Sequence, residues 1–347
     1  MSIPNPVEDR KPEPAAVPGG PGLQLPVEFL GELEKFLAGQ VEQFEAEIRP
    51  LAKYAVENSG RRLRPSLIYF SGVLDDGGYS KDLVNVAAVV ELVHIATLVH
   101  DDILDEAELR RRKPTVYHKE GGAVAVLLGD ALFAQALRLA SEYRTTLVCR
   151  EVAQATRAVC AGETRQVHLR GDLNMEVGEY LHIIELKTAE LFRVSCLLGA
   201  LVREEGDVAG AQALASFGKH LGRAYQIYDD AVDFVGREES MGKTLGTDLA
   251  TGKLTLPALL LRDKLGVGEF RELFHQLQAG DAQAGREALS QKMAQCDVFP
   301  EVEEFFAREL QAARTGLVRS NASGYSRGLL ERLLVFLEAE FSGLVGG

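Results

Sequence analysis

Residues 83–112 read LVNVAAVVELVHIATLVHDDILDEAELRRR. The run is too long for a strand. Its apolar residues Leu92, Ile95, Ala96 and Val99 recur at intervals of three and four, the period of a buried helix face. Near its end the apolar pattern gives way to Asp101, Asp102 and Asp105. On a helix, positions i and i+4 share a face, so Asp101 and Asp105 stack and Asp102 stands to the side. Three like charges so close repel one another, and the apolar flank makes desolvating them costlier. A cation has to offset this. Hard carboxylate oxygens on one helix face suit Mg²⁺ that is also held by a phosphate-bearing substrate.

The pattern returns 128 residues further on. LGRAYQIYDDAVDFVG (221–236) sets Asp229, Asp230 and Asp233 at the end of another apolar helical run. Either motif alone reads as a solvated acidic turn; two of them, facing each other across a bundle, can hold several Mg²⁺ ions around one diphosphate. Basic groups flank both. Gly60-Arg61-Arg62-Leu63-Arg64-Pro65 sets three arginines before a helix start, with Pro65 at or near the first helical position. Helix N-termini and arginine forks favour phosphate oxygens. Arg110, Arg111 and Arg112 follow the first motif. Lys187 and Thr188 lie mid-helix in IIELKTAELF (183–192), and Lys243 and Lys253 lie in GKTLGTDLATGK (242–253).

The rest of the chain agrees with a helical protein. Seven of its 12 prolines fall in residues 1–26, read as a mobile Pro-rich tail. From residue 27 to 347 proline is scarce and Ala, Leu, Glu and Arg are abundant, which favours helices. The expectation is an all-α single domain of ten or more helices, with helical segments at 122–143, 149–170, 176–203, 208–235, 253–264 and 301–314. The net charge of −13 argues against a general nucleic-acid binder. The four cysteines show no CxxC spacing and read as reduced thiols. The N-terminus shows no apolar leader, and no uninterrupted apolar run reaches the ~18–20 residues of a membrane span, so a cytoplasmic protein without a membrane span is expected.

The separated motifs SGRRLRP (59–65), DDILDEAELRRRKPT (101–115), LKTAEL (186–191), QIYDD (226–230) and GKTLGTDLATGKLTLP (242–257) occur in an order that resembles the trans-isoprenyl diphosphate synthases, or polyprenyl synthetases. The likeness runs from about residue 45 to 265, and more weakly to the C-terminus. The resemblance implies a helical bundle around a deep central cavity, working as a homodimer, with about three Mg²⁺ ions per site bridging carboxylates and diphosphate. It implies Asp101, Asp105 and Asp229 as direct metal ligands, with Asp102, Asp230 and Asp233 contributing directly or through water. Arg110, Lys187, Lys243 and Lys253 would clamp an allylic diphosphate. Thr188 and Gln226 would stand beside the allylic cation, and Arg61, Arg64, His94 and Arg111 would bind isopentenyl diphosphate. The implied reaction is ionisation, condensation and elimination, giving a linear all-trans polyprenyl diphosphate. Arg61 stands where the family has Lys, and Arg112 where it has Gly; the second matters if that position needs positive φ.

Product length depends on what blocks the path beneath the first motif. Ala96 and Thr97, roughly 6–8 Å along the helix from Asp101, are both small, which leaves room for a long product of about C30 to C50. Rival readings are a short-chain farnesyl or geranylgeranyl diphosphate synthase, a terpene cyclase, and a non-catalytic synthase subunit. The second intact motif, DDAVD, speaks against the last two.

Overall fold

A computed structural model describes residues 24–203, 207–235, 249, 251–279 and 282–345, without the side chains of 276–286 and 345. The helices, in chain order, are α1 (Val27–Val41), α2 (Arg49–Glu57), α3 (Leu63–Gly72), α4 (Lys81–Leu104), α5 (Val116–Glu120), α6 (Gly122–Ser141), α7 (Leu147–His168) and α8 (Val177–Ile184). A π-helical turn (Glu185–Ala189) joins α8 to α9 (Glu190–Arg203). Then come α10 (Val208–Val235), α11 (Leu256–Leu265), α12 (Val267–Ala279), α13 (Ala282–Gln295), α14 (Val298–Arg319) and α15 (Gly324–Val345). Between α4 and α5, β1 (Leu109–Arg110) and β2 (Lys113–Pro114) form a two-stranded antiparallel hairpin. The architecture is all-α, as expected. The tail 1–26 lies mostly outside the described residues, but Leu25, assigned to it, is buried in the core.

The decisive stretch forms α4. Ser80 caps it, its side chain accepting from the Leu83 amide at 3.2 Å, and Asp82 lies in its first turn, where the helix dipole favours negative charge. From Val86 to Thr97 every residue is buried, the mark of a helix surrounded by others. It packs against α1, α3, α6 and α9. The second long helix, α10, packs against α9 and α14. Gly218 and Gly222 permit the α9 approach: a Cβ on Gly218 would stand 2.5 Å from the Phe192 carbonyl oxygen, and one on Gly222 would stand 2.6 Å from Ala189 Cα.

Among the described residues, two helices, α4 and α6, are long and apolar enough by length and composition to cross a membrane, although Glu91 and Asp130 interrupt their apolar runs. For α4, 83% of the apolar window is buried inside the protein, as for a core helix. Only 39% of the α6 window is buried, and Val126, Leu127 and Leu137 are exposed along it.

Candidate active site

The two aspartate motifs end α4 and α10, so both bring carboxylates to the negative end of a helix dipole. That arrangement is unfavourable unless cations converge there, and they do. Asp105, at the C-cap of α4, receives Lys253 Nζ at 2.7 Å and Arg170 Nη2 at 2.6 Å. Asp102 is turned aside, 2.8 Å from Arg110 Nη2. Burial lifts the Asp101 carboxyl to about 6, against the pull of Lys187 and with Glu163 adding to the rise. Burial pulls the Lys187 ammonium down, but Asp101 and Glu163 outweigh it and hold it above the usual lysine value. Lys187 pairs with Glu163 and donates to Gln166 Oε1 at 2.8 Å.

Lys253 ties the motifs together. It pairs with Asp105 of the first motif and lines one open cleft with Asp229 and Asp230 of the second. Lys187, Thr188, Gln226, Gln166 and Tyr180 line the same cleft, which has about 680 Å³ of empty space. Asp230 is buried and accepts from Tyr180 Oη at 2.6 Å and from Gln226 Nε2 at 2.7 Å. Gln226 in turn accepts from the Thr188 hydroxyl at 2.8 Å. The Thr188 proton is thereby committed, and the hydroxyl lone pairs remain. Asp233 is buried one turn further along α10.

The π turn presents Lys187 and Thr188. Such single-turn bulges are common at functional sites. Gly162 of α7 is packed so closely beneath it that a Cβ there would stand 2.7 Å from the Lys187 backbone nitrogen.

A second cluster lies beside the first. His94 Nε2 is 2.9 Å from Arg64 Nη1. Burial, then Arg64, Arg110 and Arg111, push the imidazole well below its usual pKa. It is therefore neutral, and since Arg can only donate, Nε2 accepts. Burial also lowers the Arg64 guanidinium. Arg64 Nε has no hydrogen-bond partner among the described residues, and its Cζ lies 5.4 Å from the Phe192 ring centroid. The Arg111 guanidinium lies over Gly60, where any Cβ would clash at 1.1 Å, and Gly60 has φ +106°. Arg61, close to Arg111, is exposed. Several guanidiniums thus converge around one neutral imidazole.

The structure thus brings Asp229, Asp230, Lys187, Thr188, Gln226 and Lys253 around one cleft, with Asp105 joined to it through Lys253 and Asp101 within electrostatic reach of Lys187. Asp102 and Arg110 line a separate pocket, and Asp233 does not line the cleft. Arg64 and Arg111 lie near His94, and Arg61 lies near Arg111. Lys243 lies outside the described residues. Ala96 is fully buried and Thr97 nearly so, its hydroxyl donating to the His94 carbonyl at 2.7 Å; neither lines the open cleft. Pro65 is the third residue of α3, where its missing N–H is still among those without a helical acceptor. Arg62 is a correction: it was grouped with the phosphate-facing arginines, but it is buried against Glu34 and Glu91. Sequence reasoning missed Glu163, Gln166, Arg170 and Tyr180. The three-residue spacing of Glu163 and Gln166 on α7 hinted at a shared polar face, but not at what it met.

Carboxylate oxygens with a few protein cations suit a hard divalent ion. Among the described residues no three His, Cys, Asp or Glu side chains gather closely enough to hold one by themselves.

The polyprenyl synthetase profile matches residues 45–288. Heptaprenyl diphosphate synthase component 2 of Bacillus subtilis is 35% identical over 241 residues, covering 68% of this chain and 69% of that protein. Octaprenyl diphosphate synthase of Haemophilus influenzae is 33% identical over 247 residues, covering 70% of each. The crystal structure of a Caulobacter crescentus polyprenyl synthase complexed with calcium and isoprenyl diphosphate superposes with a TM-score of 0.79 at 32% identity, covering 89% of this chain and 94% of that one. With its paired acidic helix ends, its cationic cleft and a profile match over most of its length, the chain belongs to the polyprenyl synthetase family.

Proposed function

We propose that the protein condenses isopentenyl diphosphate with an allylic diphosphate, repeating the addition to make a linear all-trans polyprenyl diphosphate of about C30 to C50, since the two residues about one turn before Asp101, Ala96 and Thr97, are both small. The observation that carries the reaction is the shared cleft: Lys253 pairs with Asp105 and lines the same space as Asp229 and Asp230. The long product is supported by the likeness to heptaprenyl and octaprenyl synthases.

In this reading Asp101, Asp105 and Asp229 hold Mg²⁺ directly, and Asp102, Asp230 and Asp233 support it. When bound, the metal supplies Lewis-acid stabilisation of charge on the departing diphosphate. Arg110, Lys187, Lys243 and Lys253 bind the allylic diphosphate and stabilise it as it leaves with the C–O electron pair. Thr188 and Gln226 turn oxygen lone pairs towards the allylic cation. Arg61, Arg64, Arg111 and neutral His94 hold isopentenyl diphosphate so that its double bond attacks that cation. A proton is then lost to the released diphosphate and the new double bond closes. No side-chain nucleophile takes part.

A homodimer belongs to the same proposal. The exposed apolar side of α6 supports it, because a second copy would cover Val126, Leu127 and Leu137. Light scattering of the purified chain tests this, and a monomer at micromolar concentration would refute it.

The test of function is incubation of purified protein with Mg²⁺, isopentenyl diphosphate and allylic primers of several lengths, followed by mass analysis. Five-carbon additions reaching C30 or beyond are expected. No addition to any primer would overturn the function, and a product ending at C20 would overturn the length. A second reading, in which the chain is one component of a synthase that needs another protein, is favoured by its likeness to a component 2; product formed by the chain alone excludes it.

A further inference from the structure

Arg62 stands between two pocket arginines in sequence but has no donor left for a substrate. Its Nε donates to Glu34 Oε1 at 2.8 Å and Nη2 to Glu34 Oε2 at 3.1 Å. Nη1 donates to Glu91 Oε1 at 2.8 Å and to the Ser59 hydroxyl, and Nη2 donates to the Val56 carbonyl at 3.1 Å. A guanidinium has five N–H donors, and all five are used. The side chain is 8% exposed and Glu91 is 1% exposed.

The partners come from three directions. Glu34 lies on α1, Val56 and Ser59 at the end of α2, and Glu91 on α4 one turn before His94. Arg62 therefore fastens the loop ahead of α3 to three helices at once. That loop needs fastening. Gly60 has φ +106° and Arg62 has φ +53°, left-handed geometry that is strained for an L-residue. The same loop carries Arg61, and Arg64 follows as the second residue of α3. Glu91 also lies within electrostatic reach of Arg64 and Arg111.

We propose that Arg62, locked between Glu34 and Glu91, is a positioning residue for the isopentenyl diphosphate pocket, setting the spacing of Arg61 and Arg64 without touching the substrate. The inference rests on the function proposed above. A Lys at this place keeps the charge but cannot reach Glu34 and Glu91 together, because it offers a point donor instead of a planar fork.

The test uses the full chain with Arg62→Lys, Glu91→Gln and Glu34→Gln. Each substrate is titrated at saturating levels of the other, and each melting temperature is recorded. Arg62→Lys is expected to raise the KM for isopentenyl diphosphate ~10-fold, or about 1.4 kcal/mol, while kcat and the allylic KM stay within about twofold. Glu91→Gln removes a negative charge beneath a cationic pocket, so charge alone would tighten anion binding; positioning makes it weaker. Glu34 is half-exposed, so Glu34→Gln should fold even if the buried variants do not, and it should raise the same KM about threefold. The inference is overturned by an unchanged isopentenyl KM in folded Arg62→Lys or in Glu34→Gln, by tighter binding in Glu91→Gln, or by parallel loss of all three kinetic parameters with melting temperature. A wild-type chain that consumes no isopentenyl diphosphate would sink the function itself; normal wild-type turnover with any of the preceding results would sink the positioning role alone.

Discussion

Arg111 and Arg112 form the two-residue loop of the β hairpin, with φ of +52° and +62°. A turn of this kind needs positive φ at both central residues and ordinarily takes Gly at the second. The left-handed conformation costs an L-residue about 1–2 kcal/mol, and Gly gives back about 0.5–1 kcal/mol of that in chain entropy. Arg112→Gly should therefore raise stability by about 0.5–1 kcal/mol, read as a shift in urea midpoint at constant slope. The question about Arg112 was visible in the sequence as a departure from the family pattern, and the hairpin answers it by keeping the strained turn. Single residues were legible where their chemistry was paired in sequence, as with the aspartates. Arg62 was misread because three adjacent arginines look alike until burial separates them. Glu163 and Arg170 were invisible because their meaning comes only from Lys187 and Asp105, which are distant in sequence.

Among elements, the π turn at Glu185–Ala189 depends on Gly162. A Cβ at 162 would stand 2.7 Å from the Lys187 nitrogen and 2.9 Å from Leu186 Cβ, so the turn would have to move and carry Lys187 and Thr188 with it. Gly162→Ala should lower kcat by at least ~10-fold, since displacements of about 1 Å can cost ~100-fold. Gly39→Ala in α1, where a Cβ meets nothing within 4 Å, serves as the control and should leave kcat unchanged. On α4, Thr97 lies four residues before Asp101 and so on the same helix face. Thr97→Phe should shorten the product, seen by mass analysis as a lower maximum carbon number; an unchanged product would mean that the hydrocarbon runs elsewhere. Helices could be read from their period. The hairpin could not, because two-residue strands are too short to alternate. The π turn was hidden as well, because it follows from packing against α7 and leaves no trace in the local pattern.

At the scale of the molecule, burial raises several neutral groups that ionise only in alkali. The Cys196 thiol is pushed from 9.0 up to about 12, and the Tyr69 and Tyr228 hydroxyls from 10.0 up to about 12. The folded state holds these protons more tightly than the unfolded chain. Their contribution is complete below pH ~9 and is lost as pH rises towards ~12. Melting temperature should accordingly fall steeply above pH ~9–10. Cys196→Ser should soften the onset of that fall; a flat profile to pH ~11 would contradict the burial of these groups. The overall class was legible because long proline-poor stretches leave little alternative to helices. The way α4 and α10 meet was not, because it depends on close crossings such as those at Gly218 and Gly222.

In the proposed function one rigid rod carries a mark for each substrate: His94 and Asp101 lie on α4 seven residues apart, about 10 Å along its axis. The helix therefore acts as a ruler whose graduations cannot be slid. Inserting one residue between them would swing one mark about 100° around the rod relative to the other, in addition to lengthening it by about 1.5 Å. The separation of these two marks in this chain can thus be tuned by exchanging side chains but not by changing the residue count between them.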